Sequence, residues 1–348
     1  MRVVITGATG NAGTSLIDAL VEEDRVDSIV GIARRLPEIS LPKTEWVSAD
    51  VTRDDLNEHF RGADVVVHLA WLIQPSRDLD TLRATNVEGT RRVLRSVAQS
   101  EVPNLVYASS VGAYSPGPKD TPVPESWPTE GIPTSFYSRH KAEAERMLDD
   151  FESEVPQVRV VRLRPGLIFK RESASEQRRL FAGPLLPNFL VRRQLIPAVP
   201  DTPRLVFQCV HSYDIGEAYR LAIVSDVRGA FNVAADPVIG PGELAELLGA
   251  RRVRMSEKAI RAATAVSWRM RLQPTPEGWV DLAFESPIMD TSRALHELGW
   301  KPQHTSFEAL TDLIDGMSSG AGLDTPPLQP GSKGALRVKE LLSTLPPR

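Results

Sequence analysis

The sequence has only one cysteine, Cys209, in 348 residues, so no disulfide can form within the chain. A reducing, cytoplasmic location is the simplest expectation from this composition. No apolar run approaches the ~20 residues that a membrane-spanning helix needs. A strand-like pattern already starts at Arg2, which leaves no room for a signal peptide before it. We therefore expect a soluble protein that does not interact with a membrane.

The chain also has no excess of basic residues. Its 41 Lys and Arg residues are outnumbered by 45 Asp and Glu residues, which gives a formal net charge of −4. Proteins that bind nucleic acids usually carry a basic surface, so we expect no nucleic-acid partner. We also expect no metal site. The length allows one large domain or two modest ones.

Apolar segments alternate with amphipathic segments through the first half of the sequence. Runs rich in Val and Ile predict strands, and the segments between them have the helical period. This alternation favours a parallel sheet that helices cover on both faces. We predict a doubly wound α/β fold of the Rossmann type, with ligands at the carboxyl ends of its strands. The predicted strands are residues 2–6, 28–33, 45–48, 64–69, 104–109 and 159–163, and the predicted helices are 14–23, 54–60, 81–100 and 135–151.

A glycine-rich turn follows the first predicted strand and precedes a predicted helix. Its spacing is G-x-x-G-x-x-G, which departs from the commoner G-x-G-x-x-G. Glycine permits positive φ and a close approach of the backbone, and the N–H groups at a helix start suit a pyrophosphate. The turn therefore predicts a dinucleotide site. Its expected contributors are Gly7, Thr9, Gly10, Asn11, Ala12 and Gly13.

The second half of the sequence has a weaker pattern, in which residues 205–211 still predict a strand. We expect residues 1–165 and about 205–235 to form the dinucleotide-binding domain. Residues of about 166–204 and 236–317 would form a smaller, discontinuous substrate lobe. A stretch rich in Pro, Gly and Ser at 318–334 is typical of a linker, and 335–348 would form a C-terminal helix and tail.

Several motifs in the required order resemble the extended short-chain dehydrogenase/reductase superfamily, in its NAD-dependent epimerase/dehydratase group. The resemblance covers roughly residues 1 to 315. The motifs are the glycine turn, Asp50-Val51, His68-Leu69-Ala70, Asn86-Val87-Glu88-Gly89-Thr90, Ser109-Ser110, Tyr137-x-x-x-Lys141, Arg164-Pro165, Val210-His211-Ser212-Tyr213-Asp214, Met289-Asp290-Thr291-Ser292 and Leu298-Gly299-Trp300-Lys301-Pro302.

The spacing of Tyr137 and Lys141 puts both side chains on one face of a predicted helix. A free tyrosine has a pKa near 10, which is too high for an efficient base, and a nearby ammonium favours the phenolate. We expect Lys141 to activate Tyr137, and Ser110 to hydrogen-bond the substrate oxygen. The resemblance implies that hydride passes between nicotinamide and substrate while Tyr137 moves the proton, and that Lys141 also binds the nicotinamide ribose.

The end of the second predicted strand bears on the choice of cofactor. An acid there usually holds the ribose 2′-OH of NAD, whereas an arginine accommodates the 2′-phosphate of NADP. This sequence has Arg34 and Arg35 and no carboxylate. NADP is therefore favoured over NAD, although a solvated basic turn with NAD bound through other contacts stays open. By resemblance, the other cofactor-binding residues are Asp50, Val51, Leu69, Ala70 and Pro165, together with Tyr137 and Lys141.

The substrate region departs from the family pattern. Val111 and Gly112 stand where 4,6-dehydratases have an Asp-Glu pair, which makes that activity unexpected. Leu167 replaces the Asn that meets the diphosphate in many nucleotide-sugar enzymes. An apolar pocket for a carbonyl or alcohol substrate would be formed by Trp71, Leu167, Phe169 and Phe181. A group of arginines would form either a clamp for a diphosphate or a solvated surface, namely Arg178, Arg179, Arg192, Arg193 and Arg204.

Three functions remain open from the sequence. The first is net oxidation or reduction of an alcohol/carbonyl pair, the second a nucleotide-sugar epimerase with tightly bound NAD, and the third a cofactor-binding sensor without turnover. Asn86 either supports the site or satisfies buried backbone groups. We expect His211 and Asp214 to be structural and His68 to be a core histidine. By analogy with the family, helices 81–100 and 135–151 would form a homodimer contact.

Overall fold

A computed structural model of the chain describes residues 1–74, 77–179 and 196–330. The described strands, in chain order, are β1 Arg2–Thr6, β2 Ser28–Ala33, β3 Thr44–Ser48, β4 Val65–His68, β5 Asn104–Ala108, β6 Arg159–Pro165, β7 Leu167–Phe169, β8 Ala198–Asp201, β9 Cys209–His211, β10 Gly229–Val233 and β11 Arg251–Arg254.

The described helices follow in the same way. They are α1 Asn11–Val21, α2 Asn57–Phe60, α3 Leu79–Arg83, α4 Gly89–Gln99, α5 Phe136–Glu154, α6 Ala174–Gln177, α7 Ser212–Val224, α8 Pro241–Leu248, α9 Glu257–Arg269, α10 Gly278–Glu285, α11 Ser292–His296 and α12 Ser306–Ser319. A π-helical turn at Ala84–Glu88 joins α3 to α4, and short 3₁₀ turns lie at Val111–Ala113 and Arg171–Ser173.

The central sheet has seven parallel strands in the order β10-β6-β5-β4-β1-β2-β3. The strand order reverses next to β1, because β2 lies on one side of β1 and β4 on the other. Crevices at such reversals are the usual ligand sites of open α/β sheets. The predicted doubly wound α/β fold of the Rossmann type is confirmed.

Helices cover both faces of this sheet. One apolar core includes side chains of α1 and α7, and a second core on the other face includes side chains of α2, α4 and α5. Helices α1 and α7 approach closely, since a Cβ at Gly216 would lie 2.3 Å from the carbonyl oxygen of Ser15. This close packing fixes the start of α1, where the glycine turn ends.

A third apolar core joins residues that precede β9 in the sequence to residues that follow α7. It includes Phe169 and Val199 from the first segment and Ile239, Leu248 and Leu313 from the second. Strands β8 and β11 pair outside the central sheet. The chain thus leaves the sheet, returns to it and leaves it again. Some predictions concern residues outside the described ranges. These are the helix and tail expected at 335–348 and the roles expected for Phe181, Arg192 and Arg193.

The segment after α12 is packed, although its composition predicts a linker. Helix α12 extends to Ser319, past the start of that linker, and Thr325 and Leu328 are fully buried. The backbone N–H of Leu323 donates to the carbonyl of Leu328, which closes a compact loop. Composition alone misses this packing because it depends on contacts with the N-terminal part of the chain.

Two predicted elements are shorter than expected for local reasons. The helix predicted at 54–60 is reduced to α2, because the Asp54 carboxylate accepts from the backbone N–H of Asp50 and holds a turn there. The strand predicted at 205–211 is reduced to β9, since Phe207 forms an isolated antiparallel bridge with Ile239.

Candidate active site

The glycine turn connects β1 to α1 at the centre of the sheet. Gly7 has φ of +75°, and a Cβ there would lie 2.7 Å from the backbone nitrogen of Ala70. Gly10 is the N-cap of α1 in extended conformation. A Cβ on Gly13 would lie 2.5 Å from the carbonyl oxygen of Ala8, so this glycine allows the turn to pack on itself. Gly7 and Gly13 therefore leave no room for a side chain, whereas Gly10 has an ordinary extended backbone.

A cleft runs from this turn across the carboxyl ends of β2, β3 and β4. Nine of the cofactor-binding residues predicted from the sequence line this cleft. The other six are not on its wall, and they are Asn11, Ala12, Gly13, Tyr137, Lys141 and Pro165. The cleft is lined by Gly7, Thr9, Gly10, Ile32, Ala33, Arg34, Arg35, Ala49, Asp50, Val51, Leu69, Ala70, Trp71, Leu72, Thr85, Glu176, Pro326 and Pro327.

Asn11 and Pro165 are held by other parts of the chain. The Asn11 Nδ2 atom donates to the carbonyl of Ile168, 3.1 Å away, which ties the start of α1 to β7. Pro165 is buried at the end of β6 and lies beside Val233 of β10 in register. Asn11 therefore holds the start of α1, whereas Pro165 belongs to the pairing of β6 with β10.

The far end of the cleft is basic. Arg34 and Arg35 follow β2 directly and are exposed. Asp50 follows β3, and one of its carboxylate oxygens accepts from the backbone N–H and the hydroxyl of Thr52 at 3.0 and 2.8 Å. Burial opposes ionisation, but these hydrogen bonds and the nearby Arg34 charge lower the pKa of Asp50. The cleft thus holds an ionised carboxylate next to two guanidinium groups.

Ser110 and Tyr137 come together beyond the end of β5. The Ser110 hydroxyl caps the following 3₁₀ turn by accepting from the N–H of Gly112 at 3.0 Å. A Cβ on Gly112 would lie 2.8 Å from Cε1 of Tyr137, so a side chain at this position would displace the tyrosine ring. Burial raises the pKa of Tyr137, and a hydrogen bond with Ser110 acts in the opposite direction.

Lys141 lies one helical turn after Tyr137 and is buried. Its Nζ donates to the carbonyl of Ala108 at 2.7 Å and lies 3.5 Å from the ring centroid of Trp71. Burial lowers the pKa of Lys141 to about 7, against the raising effect of Glu145. The expected lowering of the Tyr137 pKa by this ammonium is not what the structure gives. The net direction is upward, because burial of the phenol dominates.

Glu145 is a residue that sequence reasoning missed. It is fully buried on α5 and accepts from both nitrogens of the Arg164 fork at 2.8 and 2.9 Å, from Arg162 at 2.9 Å and from Ser109. Burial opposes ionisation, but the two arginines and the serine hydroxyl lower the pKa of Glu145 to about 2. The available signal was its position, one turn after Lys141 on the same helix face.

Aromatic side chains surround the Tyr137 ring. Trp71 lies edge-on to it with centroids 6.0 Å apart, and Trp279 of α10 lies 5.1 Å away. Phe136 contacts Trp279 edge-on at 5.9 Å. The sequence predicted Trp71 at the site but not Trp279, which belongs to the C-terminal lobe and lies beside Tyr137 in the folded chain.

Asn86 holds the backbone segment that carries Trp71. Its side-chain amide exchanges two hydrogen bonds with the backbone of Leu72, at 2.7 and 2.8 Å. Asn86 lies in the π-helical turn and is fully buried. Both readings of Asn86 therefore apply, since satisfying the Leu72 backbone also fixes the segment that carries Trp71.

Other expected substrate residues lie elsewhere. Leu167 is 43% exposed on β7, which pairs with β9 rather than with the central sheet, and it is not on the cleft wall. Phe169 belongs to the apolar core of the C-terminal lobe. Arg178 is buried, Arg179 donates to the carbonyls of Pro327 and Gln329, and Arg204 is exposed.

The three polar residues expected to be structural are held within the fold. His68 hydrogen-bonds Thr6 at 2.7 Å and Thr90 at 3.0 Å, and burial lowers its pKa to about 3. Asp214 accepts from the backbone N–H groups of Gln303 and His304. His211 caps α7 by accepting from the N–H of Tyr213. These contacts confirm His68 as a core histidine and support structural roles for His211 and Asp214.

A model of the NAD dependent epimerase/dehydratase family matches residues 3–234. The chain belongs to this family. As a family member, it is an extended short-chain dehydrogenase/reductase with the Rossmann-type sheet described above. In the described part of the chain, no helix is both long and apolar enough to cross a membrane. The same residues contain no group of three or more His, Cys, Asp or Glu side chains that could hold a metal ion.

Two relatives align with this chain over different lengths. An uncharacterized protein of Mycobacterium tuberculosis is 26% identical over 327 residues, which cover 93% of this chain and 31% of the relative. This chain thus spans about a third of the mycobacterial protein. L-arabinose 1-dehydrogenase (NAD(P)(+)) of Haloferax volcanii is 26% identical over 227 residues, covering 59% of this chain and 86% of that enzyme.

Solved structures agree on the fold. MoeE5 in complex with UDP-glucuronic acid and NAD superposes with a TM-score of 0.68 at 20% identity, covering 92% of this chain and 99% of that one. The UDP-glucose 4-epimerase of Thermotoga maritima, solved with UDP-glucose, gives a TM-score of 0.68 at 18% identity with the same coverage.

Proposed function

We propose that this protein is an NAD(P)-dependent oxidoreductase that transfers hydride to or from an apolar alcohol or carbonyl substrate. The observation that carries the proposal is the grouping of Tyr137, Ser110 and Lys141 at the carboxyl end of β5, with Gly112 leaving room for the tyrosine ring. The L-arabinose dehydrogenase relative supports net redox chemistry, because it aligns over 86% of its length.

The residues of the cleft fit a dinucleotide. Any side chain at Gly7 would collide with Ala70, so the turn keeps its backbone open toward the cleft. Gly10 puts the free N–H groups of the α1 start at the same place, where a pyrophosphate is stabilised by the helix dipole. Asp50 and the two arginines would face the adenosine end.

Each catalytic side chain has a distinct role in this mechanism. A bound nicotinamide cofactor would supply or accept the hydride. Tyr137 would give or take the proton at the substrate oxygen, and Ser110 would hydrogen-bond that oxygen and hold it beside the phenol. Lys141 uses one of its donors on Ala108, which leaves the others for the nicotinamide ribose and keeps positive charge near the phenol.

Arg34 is proposed to select NADP over NAD. It is exposed at the end of β2 and lines the cleft, and the end of β2 carries no carboxylate of its own, although Asp50 beyond β3 lies near Arg34. The Arg34→Ala variant should raise the Kd for NADPH about tenfold or more and change the Kd for NADH little, since a charge-assisted phosphate contact is lost. Fluorescence titration with both nucleotides measures this, and equal effects would refute the assignment.

The surroundings of Tyr137 favour an apolar substrate. Trp71 and Trp279 border the phenol, and apolar walls of this kind bind flat or hydrophobic groups. Arg178 is buried and Arg179 is engaged with backbone carbonyls, so these arginines are poorly placed to clamp a diphosphate. Both points argue against a nucleotide-sugar epimerase, which is the competing function.

The Tyr137→Phe variant tests the mechanism. Wild-type protein should consume NADPH in the presence of some member of a panel of apolar aldehydes and ketones. The variant should lose at least about 100-fold in kcat, because the general acid is removed, while the Kd for NADPH stays within about twofold. Unchanged turnover would refute the role of Tyr137. Binding of NADPH without turnover on any substrate would instead favour a sensor.

A further inference from the structure

The C-terminal segment Ala321–Pro330, which we name the strap, reaches the glycine turn at the other end of the sequence. The Thr325 hydroxyl donates to the carbonyl of Thr9 at 2.9 Å, in the middle of that turn. Thr325 has no exposed surface. Pro326 and Pro327 follow directly and line the same cleft as Gly7 and Gly10. The strap is therefore a wall of the proposed dinucleotide site.

The strap is also held by the segment around α6. Arg179 donates to the carbonyls of Pro327 and Gln329, and the Ser175 hydroxyl donates to the carbonyl of Ala321. Leu328, next to the cleft prolines, is fully buried. These contacts come from α6 and its flank, whereas the contact of Thr325 is with the turn itself. The strap thus bridges the C-terminal lobe and the glycine turn.

The composition of the strap suits a wall with one well-defined packed position. Proline has a fixed φ and no N–H group, so Pro326 and Pro327 present a stiff surface to the cleft and offer it no hydrogen-bond donor. The loop is also tight, because a Cβ on Gly322 would lie 2.2 Å from the carbonyl oxygen of Leu328. Two prolines reduce the conformational entropy that is lost when the segment docks.

We propose that the strap gates the dinucleotide cleft, so that the cofactor enters and leaves only when the bond from Thr325 to Thr9 is broken and Pro326 and Pro327 move away. This inference rests on the proposed function, since it requires a dinucleotide in the cleft. A gate of this kind limits association and release alike, because both depend on the fraction of molecules that are open. It requires no change in the catalytic residues.

The Thr325→Val variant tests the gate in the full chain. It preserves the shape of the side chain and removes the donor, so the open fraction should rise about fivefold, as expected for the loss of one net hydrogen bond. Stopped-flow fluorescence of NADPH, mixed with protein or displaced by excess NADP, should show association and release both about fivefold faster. Thr264→Val is the matched control, because the Thr264 hydroxyl donates to the carbonyl of Ile260 within α9. Its rates should equal those of the wild type.

The outcomes separate the gate from the proposed function. Unchanged rates in Thr325→Val, or faster release with unchanged association, would overturn the gate. A wild-type protein that binds neither NADPH nor NADH would overturn the proposed function instead. Should the variant not fold, hydrogen exchange of the wild type decides. In the NADPH complex, the opening rate obtained from exchange at the amides of Leu323 and Leu328, which bond within the strap, should equal or exceed the release rate of NADPH, and slower opening would overturn the gate.

Discussion

Lys141 combines a buried position with a charge that the proposed mechanism uses. Its Nζ is held by the Ala108 carbonyl and the face of Trp71, and burial lowers its pKa to about 7. Cation–π contact with an indole stabilises the charged form in part. The pKa of a lysine in this position depends on the charges around it. Its ionisation near neutral pH is therefore a property of the site that can be measured.

The lowered Lys141 pKa predicts a pH dependence of stability. The unfolded lysine keeps its proton up to about pH 10.4, whereas the folded one loses it near pH 7, so the unfolded state binds more protons between these values. Stability of the wild type relative to Lys141→Met should therefore rise from pH 7 to pH 10. Urea unfolding at several pH values measures the difference. A constant difference would contradict the assignment.

At the scale of elements, α5 is fastened to the sheet by one buried carboxylate. Glu145 on α5 binds Arg162 and Arg164 of β6 and Ser109 just beyond β5. These strands and this helix carry the proposed catalytic residues. A buried, hydrogen-bonded ion cluster fixes their relative position, since each charge is costly to leave unpaired.

The Glu145→Gln variant should lose about 3 kcal/mol of unfolding free energy at pH 7, because the buried Arg164 loses its counter-charge and the buried Arg162 keeps only Asp149 and Glu152. The folded pKa of Glu145 is about 2, below its ordinary 4.5, so this stabilisation is present above pH 4.5 and is lost as pH falls toward 2. Urea unfolding at pH 7 and pH 3 should show the difference shrinking.

Glu152→Gln is the matched control for that change. Glu152 also accepts from Arg162, but its side chain is 31% exposed, so its replacement should cost less than about 1 kcal/mol. Equal losses of unfolding free energy in the two variants would show that the burial of Glu145 does not determine its contribution to stability. The kcat of Glu145→Gln should also fall, while that of Glu152→Gln should not.

Sequence pattern predicted the elements of the sheet because parallel strands and amphipathic helices have strong local periods. It predicted β1 and β2 to the residue and most of α5. It could not predict Trp279 beside Tyr137, since that contact joins residues 142 positions apart and depends on how the lobe packs. The same holds for Thr325 and Thr9, 316 positions apart. Motifs mark local chemistry, whereas tertiary contacts decide what surrounds it.

At the scale of the whole molecule, we propose a homodimer through α4 and α5, on analogy with the family. Light scattering after size-exclusion chromatography measures the assembly directly, and a monomer near 38.3 kDa would contradict the proposal. The relatives from mycobacteria are about three times as long as the part they share with this chain. A segment similar to this chain thus occurs within longer proteins.

The measurement that tests the central claim most directly is the identity and exchange of the nucleotide in freshly purified protein. Our account predicts that denaturation releases little nucleotide, and that the native protein takes up NADPH exchangeably and consumes it with a carbonyl substrate. Stoichiometric NAD that is released only on denaturation would contradict net redox turnover, and would favour an epimerase that regenerates its cofactor in every cycle.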